Sequence, residues 1–111
     1  MRESVRVLEP VGLMDSNGSA QVRREVADLL DVGVEALLID FKNITFIDSS
    51  GLGTLVAILV RARSKRTNLY LCSLNDQANI LLELTKMDKV FNIFPDRATF
   101  DREIENSKSL V

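Results

Sequence analysis

Histidine is absent from the chain and cysteine occurs once, at Cys72. Without an imidazole, no Ser-His-Asp arrangement can be assembled, and no G-x-S-x-G elbow occurs. A single thiol with no imidazole leaves no transition-metal donor set; scattered carboxylates leave only weak divalent binding open. No cofactor and no enzymatic activity are expected. Cys72 cannot form an internal disulfide, and its setting L-Y-L-C-S-L reads as a small buried hydrophobe in a reducing compartment. Tryptophan is also missing and aromatics make up only 5%, so the core must come from Leu, Ile and Val, as suits helices packed on a sheet. Neither charge dominates: the formal net charge is −2 and the pI about 5.1, which gives no electrostatic reason to expect nucleic acid as a partner. The longest apolar run, Leu52 to Val60, is too short to span a bilayer. The N-terminus M-R-E-S-V-R-V-L holds no apolar stretch with a cleavage site. The expectation is a cytoplasmic protein with no membrane partner.

What is present suits one globular unit. With 111 residues, 46% of them hydrophobic, the chain is expected to form a single domain over residues 1–111 with an ordered core of about 3–106. No linker and no internal repeat is read. Ser4 to Gly12 alternates Val5, Val7 and Val11 and predicts a strand, with Pro10 at an edge or end. M-D-S-N-G-S is a turn whose Ser16 or Asn17 caps a helix carrying Val22, Val26, Leu29 and Leu30 inward. Gly33 suits a left-handed C-cap, and A-L-L-I-D-F reads as a central strand covered on both faces. A helix over about 50–65 turns Leu52, Leu55, Val56, Leu59 and Val60 inward. A strand follows over 69–74. A further helix is capped by Asp76 and buries Ile80, Leu81, Leu84 and Met87. The last helix begins at Pro95-Asp96 and stacks Phe100 on Ile104, with a frayed tail from Asn106. Alternating strands and helices predict an α/β fold with a mainly parallel four- to five-stranded sheet and about four helices.

The most telling segment is F-I-D-S-S-G-L-G-T-L, Phe46 to Leu55: an apolar strand, an aspartate, two hydroxyls and two glycines, then an apolar helix. A serine between a strand end and a helix start is expected in a loop with its hydroxyl exposed. G-L-G at Gly51 to Gly53 lacks the third glycine of a dinucleotide fingerprint and the lysine of a P-loop. A receiver-type fold would also place Asp40 or Asp48 at a strand end, but L-Y-L-C-S-L offers no lysine at its end. Arg61, Arg63, Lys65 and Arg66 form a basic cluster that reads either as a solvated helix end or as a docking site for an acidic partner.

In these motifs the chain resembles the STAS domains of the bacterial anti-sigma-factor antagonist family, with a strand ending G-L-M-D, an L-L-I-D-F strand and the D-S-S-G-L-G junction. The resemblance implies that Ser49, the first serine of the run, is a phosphoacceptor and that Ser50 occupies a variable position. It implies a switch rather than an enzyme. The same resemblance implies that the unphosphorylated domain binds a serine kinase that is itself an anti-sigma factor, is phosphorylated and released, and is restored by a PP2C-type phosphatase. The contact surface expected from it comprises Asp15, Ser16, Asp48, Ser49, Ser50, Gly51, Leu52 and Gly53. Asp15 reads equally as a turn or cap residue; Asp48 also reads as a residue bonding its own loop, Leu52 as the first core residue of the helix, and the glycines as helix-start geometry. Phosphate on Ser49 would meet Asp48, with Asp15 and Asp40 facing it if those strand ends cluster. Two features depart from the family pattern: an extra N-terminal strand is absent or reduced to Met1 and Arg2, and Gly18 stands where a hydroxyl residue is frequent. The free edge admits a monomer or a weak dimer. The alternative function is an unmodified STAS subunit docked structurally in a transporter or sensory complex.

Overall fold

The structure, a computed structural model, describes the backbone of residues 3–109 and the side chains of residues 5–105. The expectation that the family's extra N-terminal strand is absent or reduced to Met1 and Arg2 falls on residues outside the described ones. The chain runs β1 (Glu3–Leu8), β2 (Gly12–Met14), α1 (Gly18–Val32), β3 (Val34–Asp40), β4 (Ile44–Ile47), α2 (Ser49–Ser64), β5 (Asn68–Cys72), α3 (Asp76–Leu84), a 3-10 turn (Met87–Lys89), β6 (Asn92–Phe94) and α4 (Arg97–Ser109). β1, β3, β5 and β6 form a four-stranded sheet in the order β1-β3-β5-β6, every pair parallel. β2 and β4 form a separate parallel pair. The expected α/β architecture with a mainly parallel sheet and four α-helices is therefore present, but the strand expected over residues 4–12 is two strands. Pro10 lacks an N–H for the ladder and fixes φ, so β1 stops at Leu8. Gly12, at φ +96°, turns the chain and donates its N–H to the Asn43 carbonyl 2.9 Å away, opening β2 against β4.

β3 shows how the layers divide. Every residue from Ala36 to Asp40 is buried, as expected of a strand covered on both faces. Leu37 and Ile39 join the large cluster beneath α1, α2 and α3, whereas Leu38 points the other way, with Cys72, toward Phe100 of α4. There Tyr70 and Phe94 each pack edge-on with Phe100 and lie tilted to one another, with ring centroids 5.3–5.8 Å apart. Gly33 closes α1 in the left-handed region, its N–H reaching the Leu29 carbonyl at 3.2 Å. Helix α4 continues through the expected fraying point at Asn106 to Ser109.

Several inward faces differ from expectation. In α2 the buried positions include Ile58 and Ala62, while Val60 is 62% exposed, because the buried stripe follows Leu55-Ile58-Leu59-Ala62. In α3 the buried residues are Ala78 and Leu82; Ile80 and Leu84 face outward, Leu81 is half-buried, and Met87 falls in the 3-10 turn. Asn75, not Asp76, caps α3, its Oδ1 accepting from the Ala78 N–H at 2.9 Å.

Cys72 is fully buried. Burial pushes its thiol above the ordinary 9.0, the hydrogen bond from Ser73 opposes the shift, and the nearby Asp40 charge adds to it. The folded thiol keeps its proton where the unfolded chain has begun to release one. Its contribution to stability is therefore complete below about pH 9 and is lost as pH rises through the folded-state value. Iodoacetamide labelling of Cys72 at pH 8 is expected to track the urea unfolding curve; rapid labelling in native buffer would contradict this burial.

Candidate functional site

The site is built at the ends of β2 and β4. Met14 pairs with Ile47 in parallel register, so the next residues, Asp15 and Asp48, leave neighbouring strand ends on the same side of the molecule. Each starts a helix, and both turns read Asp-Ser-x-Gly: Asp15-Ser16-Asn17-Gly18 and Asp48-Ser49-Ser50-Gly51. Asp15 Oδ1 accepts from the Gly18 N–H at 2.8 Å and the Asn17 N–H at 3.1 Å; Asp48 Oδ1 accepts from the Gly51 N–H at 2.9 Å. The Asp15 carbonyl takes the Ser19 N–H and the Asp48 carbonyl the Leu52 N–H, both at 2.9 Å. The two carboxylates thus satisfy first-turn donors at the positive ends of α1 and α2. Asp15 does this for α1, as its reading as a turn or cap residue allows, and Asn17, also expected as a cap, makes no capping side-chain bond.

The glycines close the turns. A Cβ on Gly18 would fall on the Leu13 carbonyl oxygen, and one on Gly51 on the Met14 carbonyl oxygen. The Asp48 N–H also donates to that Met14 carbonyl at 3.3 Å, so β2 and the start of α2 are locked together. Ser16, Ser49, Ser50 and Gly53 are exposed, Asp15 and Asp48 half-buried, and Gly51 and Leu52 buried. Ser49 is the first residue of α2 rather than a loop residue, yet its side chain reaches solvent as expected. Gly51 and Leu52 therefore give the surface its shape from beneath instead of presenting side chains. Asp40 is completely buried at the end of β3. Its Oδ1 accepts from the Lys42 N–H at 3.0 Å, and its Oδ2 lies 3.8 Å from Lys42 Nζ, so its charge is committed there.

Two braces escaped the sequence reading. Gln77 grips Ile47 from α3: its Oε1 accepts from the Ile47 N–H at 3.0 Å and its Nε2 donates to the Ile47 carbonyl at 2.7 Å, closing the outer edge of β4 in the place of another strand. Arg23 donates to Thr54 Oγ1 at 3.2 Å and ties α1 to α2 one turn behind the site. Neither leaves a local signal, because the partners are 30 and 31 residues apart. The basic cluster Arg61, Arg63, Lys65 and Arg66 is exposed at the far end of α2, a helix of 16 residues and so about 24 Å long, well away from Ser49. Lys65 Nζ lies 3.9 Å from Asp31. No described helix is long and apolar enough to cross a membrane. Among the described residues no group of three or more His, Cys, Asp or Glu side chains is placed to hold a metal ion.

Known proteins resemble the chain in sequence and in fold. An anti-sigma F factor antagonist of Paenibacillus polymyxa is 24% identical over 102 residues, covering 91% of this chain and 87% of its own. A Thermotoga maritima protein crystallised as a candidate anti-sigma factor antagonist superposes with a TM-score of 0.83 at 24% identity, over 91% of this chain and 87% of its own. An anti-sigma factor antagonist of Mycobacterium paratuberculosis does so with 0.77 at 21% identity, over 86% and 80%. The STAS domain family model runs through residues 1–100, taking in both Asp-Ser-x-Gly turns, and the chain belongs to that family.

Proposed function

We propose that this chain, taken as one STAS domain over residues 1–111, is an anti-sigma-factor antagonist: a protein-binding switch controlled by phosphorylation of Ser49. Unmodified, it binds a serine kinase that is also an anti-sigma factor; phosphorylated, it is released; a PP2C-type phosphatase resets it. It acts by binding and catalyses nothing. The observation that carries this reading is the exposed Ser49 hydroxyl on a first turn held from three sides: by the Asp48 cap, by the Met14 backbone against Gly51, and by Gln77 on Ile47. A kinase can reach such a hydroxyl without unfolding anything, and the surrounding Asp15, Ser16, Ser50 and Gly53 offer a compact face to the same partner. The names of the Paenibacillus and Mycobacterium relatives favour this role.

Incubation with the cognate serine kinase and ATP is expected to add a phosphate on the Asn43–Arg61 tryptic peptide, and Ser49→Ala should abolish that peptide's modification. If Ser49 stays unmodified while the protein binds its partner constitutively, the switch fails and a fixed docking subunit takes its place.

A further inference from the structure

Among the described residues β4 has no strand along its outer edge, and two side chains from the start of α3 stand in that place. Asn75 Nδ2 donates to the Thr45 carbonyl at 3.2 Å. Two residues further along both segments, Gln77 takes both polar groups of Ile47, the N–H at 3.0 Å and the carbonyl at 2.7 Å. A primary amide offers a donor and an acceptor side by side, so Gln77 does for Ile47 what one residue of a neighbouring strand would do. The Ile47 carbonyl belongs to the planar peptide unit that leads into Asp48. Gln77 Nε2 holds the oxygen of that unit, while its nitrogen, the Asp48 N–H, makes only the longer 3.3 Å contact to the Met14 carbonyl. The plane of this peptide sets where Asp48 points, and Asp48 in turn fixes the first turn of α2 through the Gly51 N–H at 2.9 Å. Ser49 is carried on that turn. The Asp15 turn is held separately, by its own bonds from the N–H groups of Asn17, Gly18 and Ser19.

We propose that Gln77 is a positioning residue for the phosphorylation of Ser49: by holding the Ile47 carbonyl, it fixes the direction in which the hydroxyl meets a kinase. The inference rests on the function proposed above. In the transfer the bond from the Ser49 Oγ to the γ-phosphorus of ATP forms, the bond from that phosphorus to the bridging oxygen breaks, and ADP leaves. The hydroxyl proton passes to the kinase's base, and Gln77 touches none of the reacting atoms. A reacting atom displaced by about 1 Å costs up to about a hundredfold in rate. Docking is spread over the whole face, half of which, at Asp15 and Ser16, does not depend on Gln77. Loss of its grip should therefore slow the transfer and spare the docking.

The test uses full-length protein, ATP and a fixed amount of a lysate of the source organism's cells as the kinase source. The initial rate of phosphate gain on the Asn43–Arg61 tryptic peptide is followed against protein concentration. Gln77→Met fills the same space without either hydrogen bond; Gln77→Glu keeps an acceptor for the Ile47 N–H and loses the donor to its carbonyl. Both are expected to lower the maximal rate about 10- to 100-fold while the apparent KM stays within about twofold. Circular-dichroism melts fix the folded fraction of each variant at the assay temperature, and a merely structural role would lower the rate only in proportion to it. Amide exchange should quicken from Asp48 to Leu52 and stay unchanged at Gly18 and Ser19. A maximal rate kept in either variant, or a loss carried by KM, overturns the positioning role and leaves the proposed function standing. Wild-type protein that gains no phosphate on Ser49 overturns both.

Discussion

Gly51→Ala is expected to lower the stability of the domain by about 2–3 kcal/mol, read as a lower urea midpoint with an unchanged slope. In an ordinary helix the same change stabilises by about 0.5–1 kcal/mol, because alanine restricts the unfolded chain more than glycine does. Here the new methyl would land on the Met14 carbonyl oxygen and lie 2.9 Å from Ile47 Cγ1. Ile47 is buried and pinned by Gln77, and the Met14 carbonyl belongs to a strand of three residues, so β2 is the part that yields. Its retreat breaks the bond from the Asp48 N–H and opens the joint between the two turns. Gly53 supplies the matched control: it lies in the same helix, exposed, with nothing within 4 Å of an added Cβ. Gly53→Ala should therefore stabilise by about 0.5–1 kcal/mol. If both substitutions shift the midpoint in the same direction, the close approach at Gly51 does not govern the site. Under the proposed function, Gly53→Ala has a second use, since a more stable protein with weaker kinase binding would show that the partner comes close to the backbone there.

The contrast between the two glycines marks where sequence reasoning reaches its limit. D-S-S-G-L-G located the junction, and local rules placed Gly33 at a C-cap and made A-L-L-I-D-F a strand buried on both faces, because these features depend on residues within one or two turns. Whether a glycine touches another strand depends on β2, more than thirty residues away, and nothing near Gly51 announces it. The α3 helix failed for a related reason. Ile80, Leu81 and Leu84 have helical spacing, but a nine-residue helix can bury only one narrow stripe, and tethering by Asn75 and Gln77 to β4 turns Ala78 and Leu82 inward instead. The repeat Asp-Ser-x-Gly was present in the letters all along. It is four residues long and flanked by unlike sequence, so only the paired ends of β2 and β4 reveal it as a repeat of structure.

Under the proposed function, phosphorylation of Ser49 is expected to weaken binding to the kinase-type partner by a factor of about 100 or more while changing folding stability by less than about 1 kcal/mol. The two effects separate because the phosphate meets different surroundings in each case. In the free domain it sits in solvent on the first residue of α2, where the helix dipole favours negative charge by roughly 0.3–1 kcal/mol and Asp48 opposes it by a similar amount. No core residue moves, since the side chain reaches solvent already. In a complex the same group would be enclosed beside the half-buried carboxylates of Asp15 and Asp48, and like charges brought together at an interface cost several kcal/mol. About 2.7 kcal/mol corresponds to the hundredfold loss. Titration calorimetry on the unmodified and phosphoserine forms measures the first effect, and hydrogen exchange across α2 and β4 the second. Exchange that accelerates through the whole domain on phosphorylation would mean that release comes from unfolding, and the charged-face mechanism would have to be abandoned.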